Sequence, residues 1–373
     1  MAFLSRADQS TLGRWWWTVD RATLAALFVL IGFGYVLVLA ASPAVAIAIN
    51  VPRDQFILKQ IVFLCLSGVV MIGLSLMTTK QVLQFALIAG TGALLLTAAT
   101  LVGGEATKGA RRWISLGGFS LQPSEFLKPC FAVIAGFLIA RGSQDKHFPG
   151  KFLACAIFAL IALLLGSQPD IGMMVVVTAV FLLQLFLGGL NLYVMGALGG
   201  AGVASLVATY FFSDHARKRI DGFMNADLDK QVQIKKALEA FANGGLLGRG
   251  PGEGHIKDTL PDAHTDFVFA VAGEEFGLLV CLLILGIFAF IVLRGLARLT
   301  REEDPAIALA GAGLVASFGI QAFINMASSL RMIPTKGMTL PFISYGGSSA
   351  LAVAVGMGLL LALTRRRVRT DAR

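Results

Sequence analysis

The chain has 373 residues, of which 56% are hydrophobic and 14% charged, against roughly 25% charged in a soluble domain. Its mean hydropathy of +0.77 excludes an ordinary soluble enzyme, and apolar windows recur from end to end, leaving no room for a large soluble domain. The formal net charge is +9, but no nucleic-acid-binding motif accompanies it, so nucleic acid is not an expected partner.

Crossing a bilayer takes about 20 apolar residues per helix, and about ten such windows can be read along the chain. They begin near Ala22, Phe56, Val82, Gln122, Phe152, Ile171, Leu192, Asp266, Ile307 and Ser348. The expected fold is therefore all-α, a polytopic membrane domain covering residues 1–373, with a long outer loop before the eighth span. The small-residue run Ala44 to Ala46 resembles a signal-peptidase site. The apolar stretch before it is long enough to span, and Trp15, Trp16 and Trp17 suit an interfacial belt, so the first span is expected to stay attached.

With both ends on one side, the short loops and tails carrying Arg6, Arg14, Arg21, Lys80, Arg141, Lys146, Lys151, Arg294, Arg298, Arg301 and Arg365 to Arg367 fall together. The excess of cations in short loops places them in the cytoplasm, with residues 1–21 and 365–373 as cytoplasmic tails. The loop 213–265 then faces outward. Its cations, among them Arg217, Lys218, Arg219, Lys235, Lys236, Arg249 and Lys257, suit either an anionic ligand at the outer surface or acidic lipid headgroups.

Cys65, Cys130, Cys155 and Cys281 lie in apolar stretches without a CxxC, and the four histidines are scattered. Neither set has the spacing of a zinc site. No cofactor is required; a divalent cation could enter only on carboxylates or with a substrate.

Three polar insertions interrupt the apolar pattern. RRWISLGGFSLQPSEFLKP (Arg111–Pro129) places Pro123 at a helix start and sets Glu125 and Lys128 one turn apart on one face, where they can neutralise each other. That pair reads either as a structural ion pair or as part of a site. In the outer loop, Ile234, Leu238 and Phe241 recur at helical spacing between Gln231 and Ala242, predicting a short interfacial helix. The glycine-rich NGGLLGRGPGEG that follows lacks a P-loop ending; it reads as a flexible turn or as a backbone-amide cradle for pyrophosphate. LPDAHTDFVFAVAGEEFG then puts Asp266 where loop gives way to apolar helix, an expensive place for a carboxylate and so a candidate site. Glu274 lies about two turns further on, within roughly 80° of Asp266 around a continuous helix, and would either tune it or pair with a basic neighbour. Near the end of the chain, RMIPTKGMTLPFISYGGSS breaks the backbone with Pro334, Gly337, Pro341, Gly346 and Gly347 at membrane depth, which is tolerated only where protein buries it or a cavity wets it.

Together with QPDIG (Gln168–Gly172), these motifs occur in the order of the SEDS family, the bacterial shape, elongation, division and sporulation proteins, which the chain resembles over most of its length. The PTKGMTLPFISYGGSS form is closer to the division branch than to the elongation branch. Arg331 departs from the glycine that the family often has before this loop, adding a cation near the site. The resemblance implies a peptidoglycan glycosyltransferase that polymerises lipid II at the outer face of the bacterial cytoplasmic membrane, at the division septum. Its implied partners are a class B penicillin-binding transpeptidase, other divisome membrane proteins and membrane lipids. Asp266 matches the family's essential aspartate, Lys336 the lysine of the PTKG loop, and Glu125 and Lys128 the pair lining its central cavity. Trp113, His264, Thr265 and Ser344 of the same motifs, with Arg249 of the outer loop, are candidate substrate-binding residues.

The chemistry fits this inventory. Glycosyl transfer from a lipid-pyrophosphate donor needs a base for the acceptor hydroxyl and cations for the departing pyrophosphate. No second catalytic acid is needed, because pyrophosphate leaves without protonation. The competing reading is a lipid II flippase using the intramembrane charges as a path; the repeated pair of interrupted helices that would point to alternating access is not visible in the sequence.

Overall fold

The computed structural model describes residues 10–48, 52, 54–107, 110–116, 119–212, 217, 232–334 and 337–366. A short helix α1 (Thr11–Thr18) precedes a bundle of α2 (Arg21–Ala48), α3 (Asp54–Ser75), α4 (Thr79–Gly103), α5 (Pro123–Gln144), α6 (Gly150–Ser167), α7 (Ile171–Leu187) and α8 (Leu192–Phe212). Beyond α8 come α9 (Val232–Gly244), α10 (Val268–Leu299), α11 (Pro305–Ser329) and α12 (Gly347–Leu363). A helix stands at each predicted span. Seven of the described helices are long and apolar enough to cross a membrane, while α7 and α12 are shorter, at 17 residues each. The predicted interfacial helix is α9, with Ile234, Ala237 and Ala240 buried.

The sequence reading held only helices. The structure adds a three-stranded antiparallel sheet, β1 (Glu105–Thr107), β2 (Ala110–Leu116) and β3 (Phe119–Leu121), with Glu105 opposite Trp113 and Ile114 opposite Leu121. Its signal was the Gly-Gly between RRWISL and FSL, a hairpin dipeptide.

Helices α5 and α11 form the centre: their most apolar windows are 61% and 67% buried, against 28% for α4, α6 and α10. Small residues let them approach. A side chain on Gly136 of α5 would lie 2.4 Å from the Ala310 nitrogen of α11, the close backbone contact that replaces hydrophobic drive inside a membrane. The Gln184 amide of α7 donates to Ala132 O (2.6 Å) and Leu309 O (3.0 Å), tying all three helices.

At one end of the bundle, Asp20 caps the start of α2 and takes both Arg294, at 2.8 Å, and Arg298, at 2.8 Å. Burial opposes the charge on Asp20, but the bonds from Arg294 and Thr23 and the field of both guanidiniums hold its carboxyl below the usual range.

Helix α10 is not continuous. Gly277 breaks it at φ 77°, ψ −176°, which strands the carbonyls of Glu274 and Glu275 and the amides of Leu278 and Leu279. The glycine-rich segment satisfies all four: Arg249 N donates to Glu274 O and Gly250 N to Glu275 O, each at 3.0 Å, while Leu278 N and Leu279 N donate to Gly245 O and Leu246 O. The Glu274 carboxylate, fully buried, accepts from the amides of His255 and Ile256. The Glu275 carboxylate accepts from Gly252 N and pairs with Lys257. Two expectations are thereby corrected. Within NGGLLGRGPGEG the amides of Arg249 and Gly250 serve the helix break and that of Gly252 the Glu275 carboxylate, and Glu274 holds this loop instead of tuning Asp266, which sits in the turn before the helix.

Gly277 has a left-handed φ, and a side-chain carbon there would lie 2.3 Å from Gly248 N. Gly277→Ala is expected to cost about 1–3 kcal/mol from the backbone strain alone. A lowered melting temperature, with faster proteolysis between residues 245 and 258, is the expected readout.

Candidate functional site

Asp266 belongs to a run of turns, residues 261–267, fixed from several directions. Its backbone carbonyl accepts from Asn325 Nδ2 of α11 at 2.9 Å, and the same amide donates to Met338 O at 2.6 Å. The carboxylate faces the irregular segment before α12: a side-chain carbon on Gly337 would lie 3.5 Å from Asp266 Oδ2.

The neighbouring motif residues hold the same two segments together. Ser344 Oγ donates to Thr265 O at 2.5 Å and accepts from Leu340 N at 2.8 Å. Tyr345 N donates to His264 O, and Gln60 Nε2 of α3 donates to Ser344 O. The rings of Phe56, His264 and Tyr345 pack in a trio with centroids 5.1–5.2 Å apart. Burial pushes the His264 imidazole down to about 4, against the pull of Asp262, so at neutral pH it brings no positive charge. Thr265 and Ser344 act here through their backbone and hydroxyl as staples.

Glu125 and Lys128 meet at 2.7 Å, as their spacing on α5 predicts. Lys128 Nζ also donates to Gln321 Oε1 at 2.6 Å, and Gln321 Nε2 reaches Thr339 O at 3.1 Å. Thr339 and Ser349 hydroxyls share a 2.6 Å bond. A hydrogen-bonded path therefore runs from the Glu125–Lys128 pair through α11 to the segment beside Asp266. A small cavity of about 20 Å³ adjoins Lys128, Ser317 and Gln321, room on the scale of one water.

QPDIG has a mechanical part. Asp170 caps α7 through Met173 N and pairs with Arg112 at 3.4 Å; Gln122 Nε2 also reaches it. Ser348 Oγ accepts from Gln122 N and donates to Ser120 O, so β3 is stitched to the start of α12.

Two of the candidate residues are not brought to this centre by any contact described. Trp113 lies half-buried on β2. Arg249 is exposed and donates to Asn243 O within its own loop. Lys336 lies outside the described residues, although Gly337 beside it flanks Asp266. Among the described residues, no three or more His, Cys, Asp or Glu side chains gather as a metal site. Sequence reasoning missed Gln321 and Asn325. Their signal was available: two amides spaced i, i+4 in an otherwise apolar helix, where polar side chains act as interhelical links.

The sequence model of the FtsW, RodA and SpoVE family, described as cell cycle proteins, matches residues 21–369. The chain is 42% identical to the probable peptidoglycan glycosyltransferase FtsW of Caulobacter vibrioides, over 97% of this chain and 93% of that one. It is 36% identical to the FtsW of the same description from Nitrosococcus halophilus, over 92% and 91%. Among solved structures it resembles a chain from a peptidoglycan synthase complex, described as coordinating polymerization and crosslinking, with a TM-score of 0.74, 25% identity and coverage of 93% and 97%. It also resembles the rod shape determining protein RodA of Thermus thermophilus, with a TM-score of 0.69, 25% identity and coverage of 94% and 97%. The folded core, the motif contacts and these likenesses agree: the chain belongs to the FtsW, RodA and SpoVE family of cell cycle proteins, and it is a multi-pass membrane protein.

Proposed function

We propose that the chain is a peptidoglycan glycosyltransferase of the FtsW type, which polymerises lipid II into glycan strands during septal wall synthesis, with Asp266 as the general base. The observation that carries the site assignment is the position of Asp266: a carboxylate against Gly337, its backbone fixed by Asn325, in a membrane protein whose relatives are named for this activity.

In the reaction, a carboxylate oxygen of Asp266 takes the proton from the acceptor sugar hydroxyl as the hydroxyl oxygen attacks the anomeric carbon of the donor. The bond to pyrophosphate breaks with inversion, and the lipid-linked pyrophosphate departs as an anion that needs cations and no proton. Lys336, next to Gly337 in sequence, is assigned to that anion. Glu125 and Lys128 neutralise each other within the membrane and border the path to the site. His264, neutral at working pH, contributes shape and stacking; Arg249 and Trp113 are assigned to the approach of the substrate.

The reading places about ten spans across the cytoplasmic membrane, with both tails inside and the 213–265 loop, Asp266 and the substrate outside. A class B transpeptidase is the proposed partner, in keeping with the peptidoglycan synthase complex that shares this fold. The flippase alternative finds no comparable support, since the relatives carry the glycosyltransferase name.

Three experiments test the assignment. Glu253→Cys in a background lacking Cys65 and Cys155 is expected to react with a membrane-impermeant thiol reagent in intact spheroplasts, and Glu303→Cys to stay silent; the reversed pattern would move the site to the cytoplasm. Asp266→Asn keeps the size of the side chain but cannot take the proton. A loss of about 10²–10⁴-fold in glycan polymerisation is expected, with normal insertion and melting; near-parental polymer from folded protein would return Asp266 to a structural role. Lys336→Ala should lower turnover strongly and Lys336→Arg restore part of it, because a planar guanidinium replaces a compact ammonium. Parental rates from Lys336→Ala would remove the leaving-group assignment.

A further inference from the structure

Two amides on α11, Gln321 and Asn325, have no part in the chemistry above and yet touch every segment of the site. Both are buried. One helical turn separates them, so they share a face.

Asn325 spends both its N–H bonds on backbone carbonyls, those of Asp266 and Met338. Its own Oδ1 is buried and has no partner among the described residues. The two carbonyls fix the amide's orientation, since turning it over would set an oxygen against two oxygens. A buried acceptor without a donor is a cost that an apolar side chain would avoid. The position therefore keeps an amide for its two donors, at the expense of its acceptor. Those donors join the residue that carries the carboxylate to the segment facing it. Gln321 anchors the same segment one residue further on, through Thr339 O.

The geometry points to Asn325 as the positioning residue that sets the Asp266 carboxylate against the 337–340 segment, with Gln321 as a second anchor of that segment. This rests on Asp266 being the base. Asn325 acts through the backbone of Asp266 and has no route to substrate, because its side chain is closed off by the carbonyls it holds. Turnover should then depend on it while substrate affinity does not, since a base displaced by a fraction of an ångström loses rate rather than binding.

The test uses the full-length protein with its transpeptidase partner and labelled lipid II, measuring kcat, KM and melting temperature from about pH 5 to about pH 9. Asn325→Asp has the same size but presents carboxylate oxygens to two carbonyls. A kcat loss of about 10²-fold at neutral pH is expected, with KM held within about threefold. Activity should recover as pH falls and the introduced carboxyl, its pKa raised by burial among carbonyls, protonates and donates to one of them. The parent, which lacks the introduced carboxyl, should show no such recovery. Asn325→Ala should show the kcat loss without the recovery, and Gln321→Met about a tenfold loss with KM unchanged. Should Asn325→Asp fail to fold, the other two variants carry the test. Lower yield or melting temperature with parental kcat and pH profile would make the role merely structural and overturn the proposal; so would an effect confined to KM. Asp266→Asn in the same assay keeps the two readings apart. Turnover by that variant defeats the base, whereas an inactive Asp266→Asn beside parental kinetics in the Asn325 variants defeats the positioning role alone.

Discussion

Every departure from helix inside this bundle is governed by one constraint: a backbone N–H or C=O at membrane depth must find a protein partner, because hydrocarbon offers none. The chain departs twice near Asp266. At Gly277 the helix break exposes four polar groups, and the glycine run answers each with one of its own. Before α12 the segment from Gly337 to Gly346 runs without helix, and Gln60, Gln321, Asn325 and Ser344 supply its missing donors and acceptors. Both irregular stretches are completed from other parts of the sequence, by backbone groups at Gly277 and by side chains before α12.

Strain enters at the same place. Phe342, a bulky residue, is held at φ 62° and is almost wholly buried, a conformation that persists only where surrounding structure over-determines it. Gly34 of α2 provides room, since a side chain there would lie 2.0 Å from Phe342 O. The ionisable groups can be sorted by the same logic. Asp20 with Arg294 and Arg298, Asp170 with Arg112, and Glu275 with Lys257 each fasten a loop or helix end, which accounts for their burial. Asp266 is half-buried, and its carboxylate lies beside Gly337, where a side-chain carbon would stand 3.5 Å from Oδ2.

Much of this was legible in the sequence. Hydrophobic length gave the positions of the helices, because bilayer thickness sets a simple rule. The Glu125–Lys128 spacing gave their contact, because i, i+3 geometry is local. What could not be read was long-range. That Glu274 and Glu275 clasp a glycine run about twenty residues upstream, and not Asp266 or solvent, depends on Gly277 breaking α10, whereas helical periodicity assumed a continuous rod. The sheet was missed because hydropathy windows suppress short strands, and Gln321 and Asn325 because a neutral amide in a long apolar helix scarcely alters its mean hydropathy. Their partners lie 13 to 193 residues away in the chain, beyond any local pattern.

The same network explains why fixed-geometry chemistry suits this centre better than transport. A carrier must offer one site in two differently exposed states, so each hydrogen bond that closes the site in one state needs a replacement in the other. Here the Asp266 turn and the segment facing it are held jointly by α3, α11 and the start of α12, through bonds to backbone carbonyls and a shared Thr339–Ser349 hydroxyl bond. Opening them would leave several carbonyls and amides without their protein partners at once, each costing about 1–3 kcal/mol where it stays buried. Glycosyl transfer asks for the reverse, a base held within a fraction of an ångström while substrates come and go. Polar groups that are costly to bury and bonded to one another favour a single arrangement, and the lipid substrate, rather than the protein centre, is then the part that moves.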